Sequence, residues 1–149
     1  MTDHMSRPRT LTIAGGLALT AFVVLALIAG HAHTGTIVDH HVLDWLVAHR
    51  HSWLTTPAVI ITDVGGPAGV AAFAVIAGCV LWWRTSSVVS AAVLIGTVGL
   101  AALVSSVTKV AAGTSRPPAA TQLLTETDHS FPSGHVTGTL TLCGILAVI

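Results

Sequence analysis

Thr10–Gly30 reads TLTIAGGLALTAFVVLALIAG, 21 consecutive residues without a charged or histidine side chain. A hydrocarbon core about 30 Å thick is crossed by about 20 apolar residues in helical form, because a helix satisfies its own backbone polar groups in lipid. Working outward, the pattern recurs. Val64–Trp83 gives 20 such residues before Arg84, and Thr85–Thr108 gives 24 before Lys109. A fourth apolar run of 14 residues follows His135. The first three reach bilayer length and the fourth does not. The expected fold is therefore all-α, a polytopic transmembrane helix bundle with three full spans and an incomplete fourth.

Composition supports the same class. Of 149 residues, 52% are hydrophobic and only 8% are charged, against about 25% charged in an average soluble domain. Six acids and six bases cannot cover a soluble surface. These values exclude a disordered chain, a coiled coil and a basic nucleic-acid-binding domain, so no nucleic-acid partner is expected. The formal net charge is zero, so no long-range field selects a charged partner. Cys79 and Cys143 lie in apolar stretches without a CxxC spacing and read as small buried hydrophobes.

Residues 1–10 form a polar head that carries Arg7 and Arg9. Leu11–Gly30 is longer than a signal-peptide core of about 7–15 residues, so it reads as a retained span rather than a cleaved leader. Gly15 and Gly16 offer a place for close helix contact. Residues 31–54 are a polar, His-rich interlude at the interface. Within it Val38, Val42, Trp45 and Leu46 fall at i, i+4, i+7 and i+8, so Ile37–His51 is predicted to be a helix lying on the membrane. Trp45 and Trp53 suit the headgroup level. His31, His33, His40, His41, His49 and His51 lack tight ligand spacing and read as a solvated surface rather than a metal site.

The second span is less clean. Pro57 is expected to open a helix at its first position. Asp63 falls about two turns inside, near the outer interface, in a solvated or helix-opening role. Pro67 starts the continuous part, which runs to Trp83. The third span fills residues 86–107 and ends at Lys109. A loop of Thr, Pro and Ser follows, and the fourth run starts after Pro132. In that loop Glu126, Asp128 and His129 read as solvated. Arg7, Arg9 and Arg84 fall on one side of the membrane and Arg50 on the other, once Lys109 and Arg116 are set aside for chemistry. That bias places the N-terminus in the cytoplasm and residues 109–135 outside.

Two patterns carry chemistry. Lys109-Val-Ala-Ala-Gly-Thr-Ser-Arg116-Pro117 sets a compact cation and a planar guanidinium fork seven residues apart, a pairing that suits phosphate oxygens. Pro132-Ser133-Gly134-His135 opens an apolar helix. Ser can cap such a helix, Gly permits close approach to the backbone, and the exposed N–H groups favour an anion. His at that point can donate a proton to a leaving group. Lys109 ends the third span and His135 begins the fourth, so antiparallel neighbours place both patterns at one membrane face.

Lys109–Pro117 and Pro132–His135 resemble the first two signatures of the type 2 phosphatidic acid phosphatase superfamily, which includes lipid phosphate phosphatases and shares its site with vanadium haloperoxidases. The resemblance covers most of the chain. It implies a six-helix membrane phosphatase, in the plasma (inner) membrane, whose single domain begins with residues 1–149. It also implies a lipid phosphate monoester or diphosphate as substrate, membrane lipids as neighbours, and no metal or other cofactor. Lys109, Arg116, Ser133 and Gly134 would bind the phosphate, and His135 would be the general acid. The family's third signature, Ser-Arg-x5-His-x3-Asp, supplies the nucleophilic His that becomes phosphohistidine. Nothing here matches it, since no His follows His135. The expectation is that the nucleophile lies beyond Ile149 and that residues 1–149 alone are inactive. The rival expectations are a membrane protein that binds phosphate without turning it over and, more weakly, a metal-handling protein built on the His-rich interlude.

Overall fold

The structure, a computed structural model, describes the backbone of residues 6–149 and side chains from Thr12 onward. The described residues form six α-helices: α1 (Ser6–His31), α2 (Ile37–Ala48), α3 (Ser52–Gly65), α4 (Pro67–Thr85), α5 (Val88–Ala112) and α6 (Gly134–Val148). No strand occurs among them. Part of the polar head, residues 1–5, lies outside the described residues, and the backbone is already helical from Ser6. Three helices, through Thr12–His31, Pro67–Thr85 and Val88–Ala112, are long and apolar enough to cross a membrane. α6 has 15 residues, about 22 Å at 1.5 Å per residue, and stays below that length.

The core sits where α4, α5 and α6 meet. Val70 and Ala74 of α4 pack with Leu94 and Val98 of α5, and Leu142 and Ile145 of α6 close against them. Val70, Ala74 and Gly78 are one stripe at i, i+4 and i+8, and all three are buried. Small residues let these helices approach. A Cβ at Gly138 would lie 3.1 Å from Val70 Cγ1, and one at Gly78 would lie 2.9 Å from Ile95 Cδ1. Gly15 and Gly16, by contrast, face nothing within 4 Å. α1 packs on α5, but none of its apolar window is buried inside the protein. Cys79 and Cys143 are exposed, which corrects the buried reading. On a membrane helix an apolar position faces lipid as readily as protein, so apolarity does not imply a protein neighbour.

The helix boundaries have local causes. Thr36 caps α2, with its Oγ1 accepting from Asp39 N at 3.2 Å and Thr36 N donating to Asp39 Oδ2 at 2.7 Å. The Thr36 backbone N–H first, and then its hydroxyl, which donates to Asp39 Oδ2 at 2.8 Å, hold the Asp39 carboxyl below the ordinary range. α2 ends at Ala48 rather than His51: His49 is its C-cap at φ −105°, ψ 22°, with its backbone N–H and ring Nδ1 both reaching the Trp45 carbonyl, at 3.0 and 2.8 Å. Its apolar stripe stays uncovered by the protein: Val38, Val42, Trp45 and Leu46 are all exposed.

Pro57 lies inside α3 rather than at its start, a second correction. The helix begins five residues earlier at Ser52, where Leu54 N and Thr55 N both reach the His51 carbonyl. Pro57 then forfeits one backbone bond in the second turn, which the apolar residues on either side outweigh. Asp63 lies exposed in the last turn of α3, in keeping with the solvated role and not with helix opening. Pro67 is the first residue of α4. The residue before a proline is driven from helical backbone, and Gly66 adopts φ −66°, ψ 173°, which breaks α3 from α4. The kink folds tightly: a Cβ at Gly69 would fall 1.8 Å from the Val64 carbonyl oxygen. α5 ends where Gly113 turns left-handed at φ +59° and donates to the Lys109 carbonyl.

Candidate functional site

Lys109 stands in the last turn of α5, where a cation complements the helix dipole. Its side chain is only 12% exposed. Gly113 then reverses the chain and brings Arg116 back beside it. Both cations meet Asp128. Lys109 Nζ lies 2.9 Å from Asp128 Oδ2, and Arg116 Nη2 lies 2.5 Å from Asp128 Oδ1. The same two side chains also grip the neighbouring backbone. Lys109 Nζ donates to the His129 carbonyl at 2.5 Å, and Arg116 Nε donates to the Asp128 carbonyl at 3.1 Å. Burial pushes the Asp128 carboxyl up, but the hydrogen bonds and charges of Lys109 and Arg116 outweigh it and hold the acid below its ordinary value.

Thr114 pins the two strands of this loop together. It is 4% exposed. Its hydroxyl accepts from Phe131 N at 2.9 Å, and its carbonyl accepts from Ser130 N at 3.1 Å. Further ties reach the loop from earlier elements. Ser115 N donates to the His33 carbonyl at 2.7 Å, Arg50 Nη2 donates to the Thr121 carbonyl, and the Phe22 ring of α1 stacks on Phe131 with centroids 6.0 Å apart.

Ser133 caps α6, its hydroxyl accepting from Val136 N at 3.4 Å. Gly134 is the first residue of the helix and sits by the start of α4, where its Cβ position would lie 3.7 Å from Pro67 Cγ. The N–H groups at such a helix start have no intrahelical acceptor. His135 points to the α3–α4 kink. Its Nε2 lies 2.8 Å from the Thr62 carbonyl, and a carbonyl only accepts, so Nε2 carries the proton. That carbonyl is one of the last four of α3, which lack an intrahelical donor. The His135 ring thus finishes a helix belonging to another part of the chain.

The structure therefore brings Lys109 and Arg116 together and sets Ser133, Gly134 and His135 at the start of α6. Among the described residues, the hydrogen bonds of His135 go to the kink and those of the two cations go to residues 128 and 129. Sequence reasoning missed the second role of Asp128, which is a shared counter-ion as well as an exposed loop residue. The available signal was scarcity: in a chain with so few charges, an acid near two cations finds them. It also missed Thr114 and the Thr62 carbonyl, which no local pattern marks.

A cavity of about 700 Å³ opens beside Arg116, between the ends of α1 and α2 and the loop. Leu25 and Ile28 form its apolar wall, and Asp39, His40, Ser115 and Arg116 its polar one. Lys109, Ser133 and His135 are not among its lining. Among the described residues, no three His, Cys, Asp or Glu side chains are gathered in a way that would hold a metal ion. Comparison with family models, with curated proteins and with solved structures finds no match to this chain.

Proposed function

We propose that residues 1–149 belong to an integral-membrane phosphatase that hydrolyses lipid phosphate monoesters or diphosphates through a phosphohistidine, without a metal. The observation that carries this reading is the convergence of Lys109 and Arg116 on the two oxygens of one oxyanion, the Asp128 carboxylate. Charge-assisted bonds from a lysine and an arginine fork suit phosphate oxygens equally. The two local patterns, Lys-x6-Arg-Pro and Pro-Ser-Gly-His, support the same assignment.

In this reading Lys109 and Arg116 neutralise the phosphoryl group, and the N–H groups at the start of α6 add hydrogen bonds from Ser133 and Gly134. Preorganised donors of this kind stabilise the charge that develops at the transition state. His135 protonates the leaving group. With Nε2–H held by the Thr62 carbonyl, the second nitrogen, Nδ1, is the one that exchanges a proton with substrate. The nucleophilic His belongs to a third signature that has no counterpart within residues 1–149. The complete enzyme would sit in the inner membrane with its N-terminus in the cytoplasm, six spans in all and the active-site loop outside.

The test uses protein that carries the third signature, in detergent with a lipid phosphate and a chelator. Phosphate release that vanadate inhibits is the expected result. His135→Gln keeps a hydrogen-bond donor for the Thr62 carbonyl but cannot act as an acid. It should fold like wild type and lose about 10²–10⁴ of turnover. Normal turnover in the folded His135→Gln protein would sink the assignment.

A further inference from the structure

We propose that Asp128 is an internal competitor for the oxyanion position, so that a phosphate or sulfate binds between Lys109 and Arg116 only as the Asp128 carboxylate swings out. This rests on reading the two cations as an oxyanion cradle. Each carboxylate oxygen takes one cation, Oδ2 the lysine at 2.9 Å and Oδ1 the arginine at 2.5 Å. A bound tetrahedral oxyanion would use the same two donors through two of its own oxygens.

The surroundings let the carboxylate leave without unfolding the loop. Its side chain is half exposed, at 50%. The backbone on either side is held independently, by Arg116 Nε on the Asp128 carbonyl, Lys109 Nζ on the His129 carbonyl, and Ser130 N on the Thr114 carbonyl. Rotation about the side-chain torsions therefore vacates the position while the loop stays in place. The cations keep their carbonyl partners throughout. Displacement exchanges two ion pairs for two others, so the intrinsic affinity of the cradle is reduced by the fraction of molecules in which Asp128 occupies it.

That relation makes a distinctive forecast. A competitor weakens every ligand of the cradle by one common factor. A negative charge acting only through space repels a dianion about twice as strongly, in free energy, as a monoanion. Asp128→Asn is close in shape and retains the backbone. Binding of sulfate and of methyl sulfate to purified protein in neutral detergent, measured by calorimetry, separates the two effects. Both anions should bind more tightly to Asp128→Asn by the same factor, between about 2-fold and 30-fold for two ion pairs of ordinary partly exposed strength. Lys109→Met combined with Arg116→Met should abolish the binding of both.

Sulfate binding that depends on Lys109 and Arg116 yet does not tighten in Asp128→Asn would overturn the competitor and leave the cradle standing. A sulfate gain near the square of the methyl sulfate gain would also overturn it, in favour of charge alone. Binding indifferent to Lys109 and Arg116 would remove the cradle, and the competitor with it. Wild-type protein gives a readout that needs no variant. Sulfate should shift one carboxylate stretch in the infrared difference spectrum from an ion-paired to a hydrated position, and an unshifted spectrum at saturating sulfate would contradict displacement.

Discussion

At the scale of single residues, Asp128 sets the acid limit of the loop. Its ordinary value is 3.8, and its net shift is downward, although burial alone pushes it up. A carboxyl lowered on folding contributes stability that is fully present above the unfolded value and is lost as pH falls through the folded one. The difference in melting temperature between wild type and Asp128→Asn should therefore hold steady from about pH 7 to about pH 5 and shrink toward zero below the ordinary carboxylate range. A difference unchanged at about pH 2 would contradict the ion-pair assignment. Because half of the side chain lies in water, screening keeps the effect small. Residues whose role depends on immediate neighbours were legible in the sequence. Ser133 as a cap and Pro67 as a helix start need only the next few positions. Asp128 and His135 were not legible in full, because their partners come from elsewhere in the chain; the Thr62 carbonyl lies 73 positions from His135.

At the scale of elements, the break between α3 and α4 brings backbone directly against backbone. Gly66 and Pro67 cause it locally, which is why the start of α4 was readable. How sharply it folds was not, since that is fixed by α3 closing onto the first turn of α4. Gly69 marks the contact. A methyl group there would meet the Val64 carbonyl oxygen at 1.8 Å and its carbon at 2.7 Å, so Gly69→Ala forces the kink open. Gly96 on α5 faces nothing within 4 Å and makes a control. Unfolding in detergent should show Gly69→Ala losing about 1–3 kcal/mol or more, with Gly96→Ala equal to wild type or more stable by up to about 1 kcal/mol, because Ala is the better helix former. Equal effects would place the strain elsewhere. Pro57 shows the limit of breaker signals: the apolar run around it begins upstream, and the helix forms through it.

At the scale of the whole molecule, charge-free stretches were enough to give the three long apolar helices, because the bilayer imposes the same length on each. They did not give the packing. Nearly every position in those stretches is apolar, so periodicity cannot say which face meets protein, and Cys79 and Gly15 were misjudged for that reason. If α5 spans, Thr85 and Thr125 lie on opposite sides of the membrane. In a background of Cys79→Ala and Cys143→Ala, an impermeant maleimide applied to sealed vesicles should label one of Thr85→Cys and Thr125→Cys and spare the other. Labelling of both from one side would refute the spanning arrangement. The helix break has one more consequence. α4 has 19 residues, about 28 Å, slightly short of a hydrocarbon layer about 30 Å thick, so if it spans, the bilayer thins around it rather than the helix tilting. Its first turn adjoins the kink whose Thr62 carbonyl meets the His135 ring, so the depth at which α4 settles would also set the depth of the imidazole.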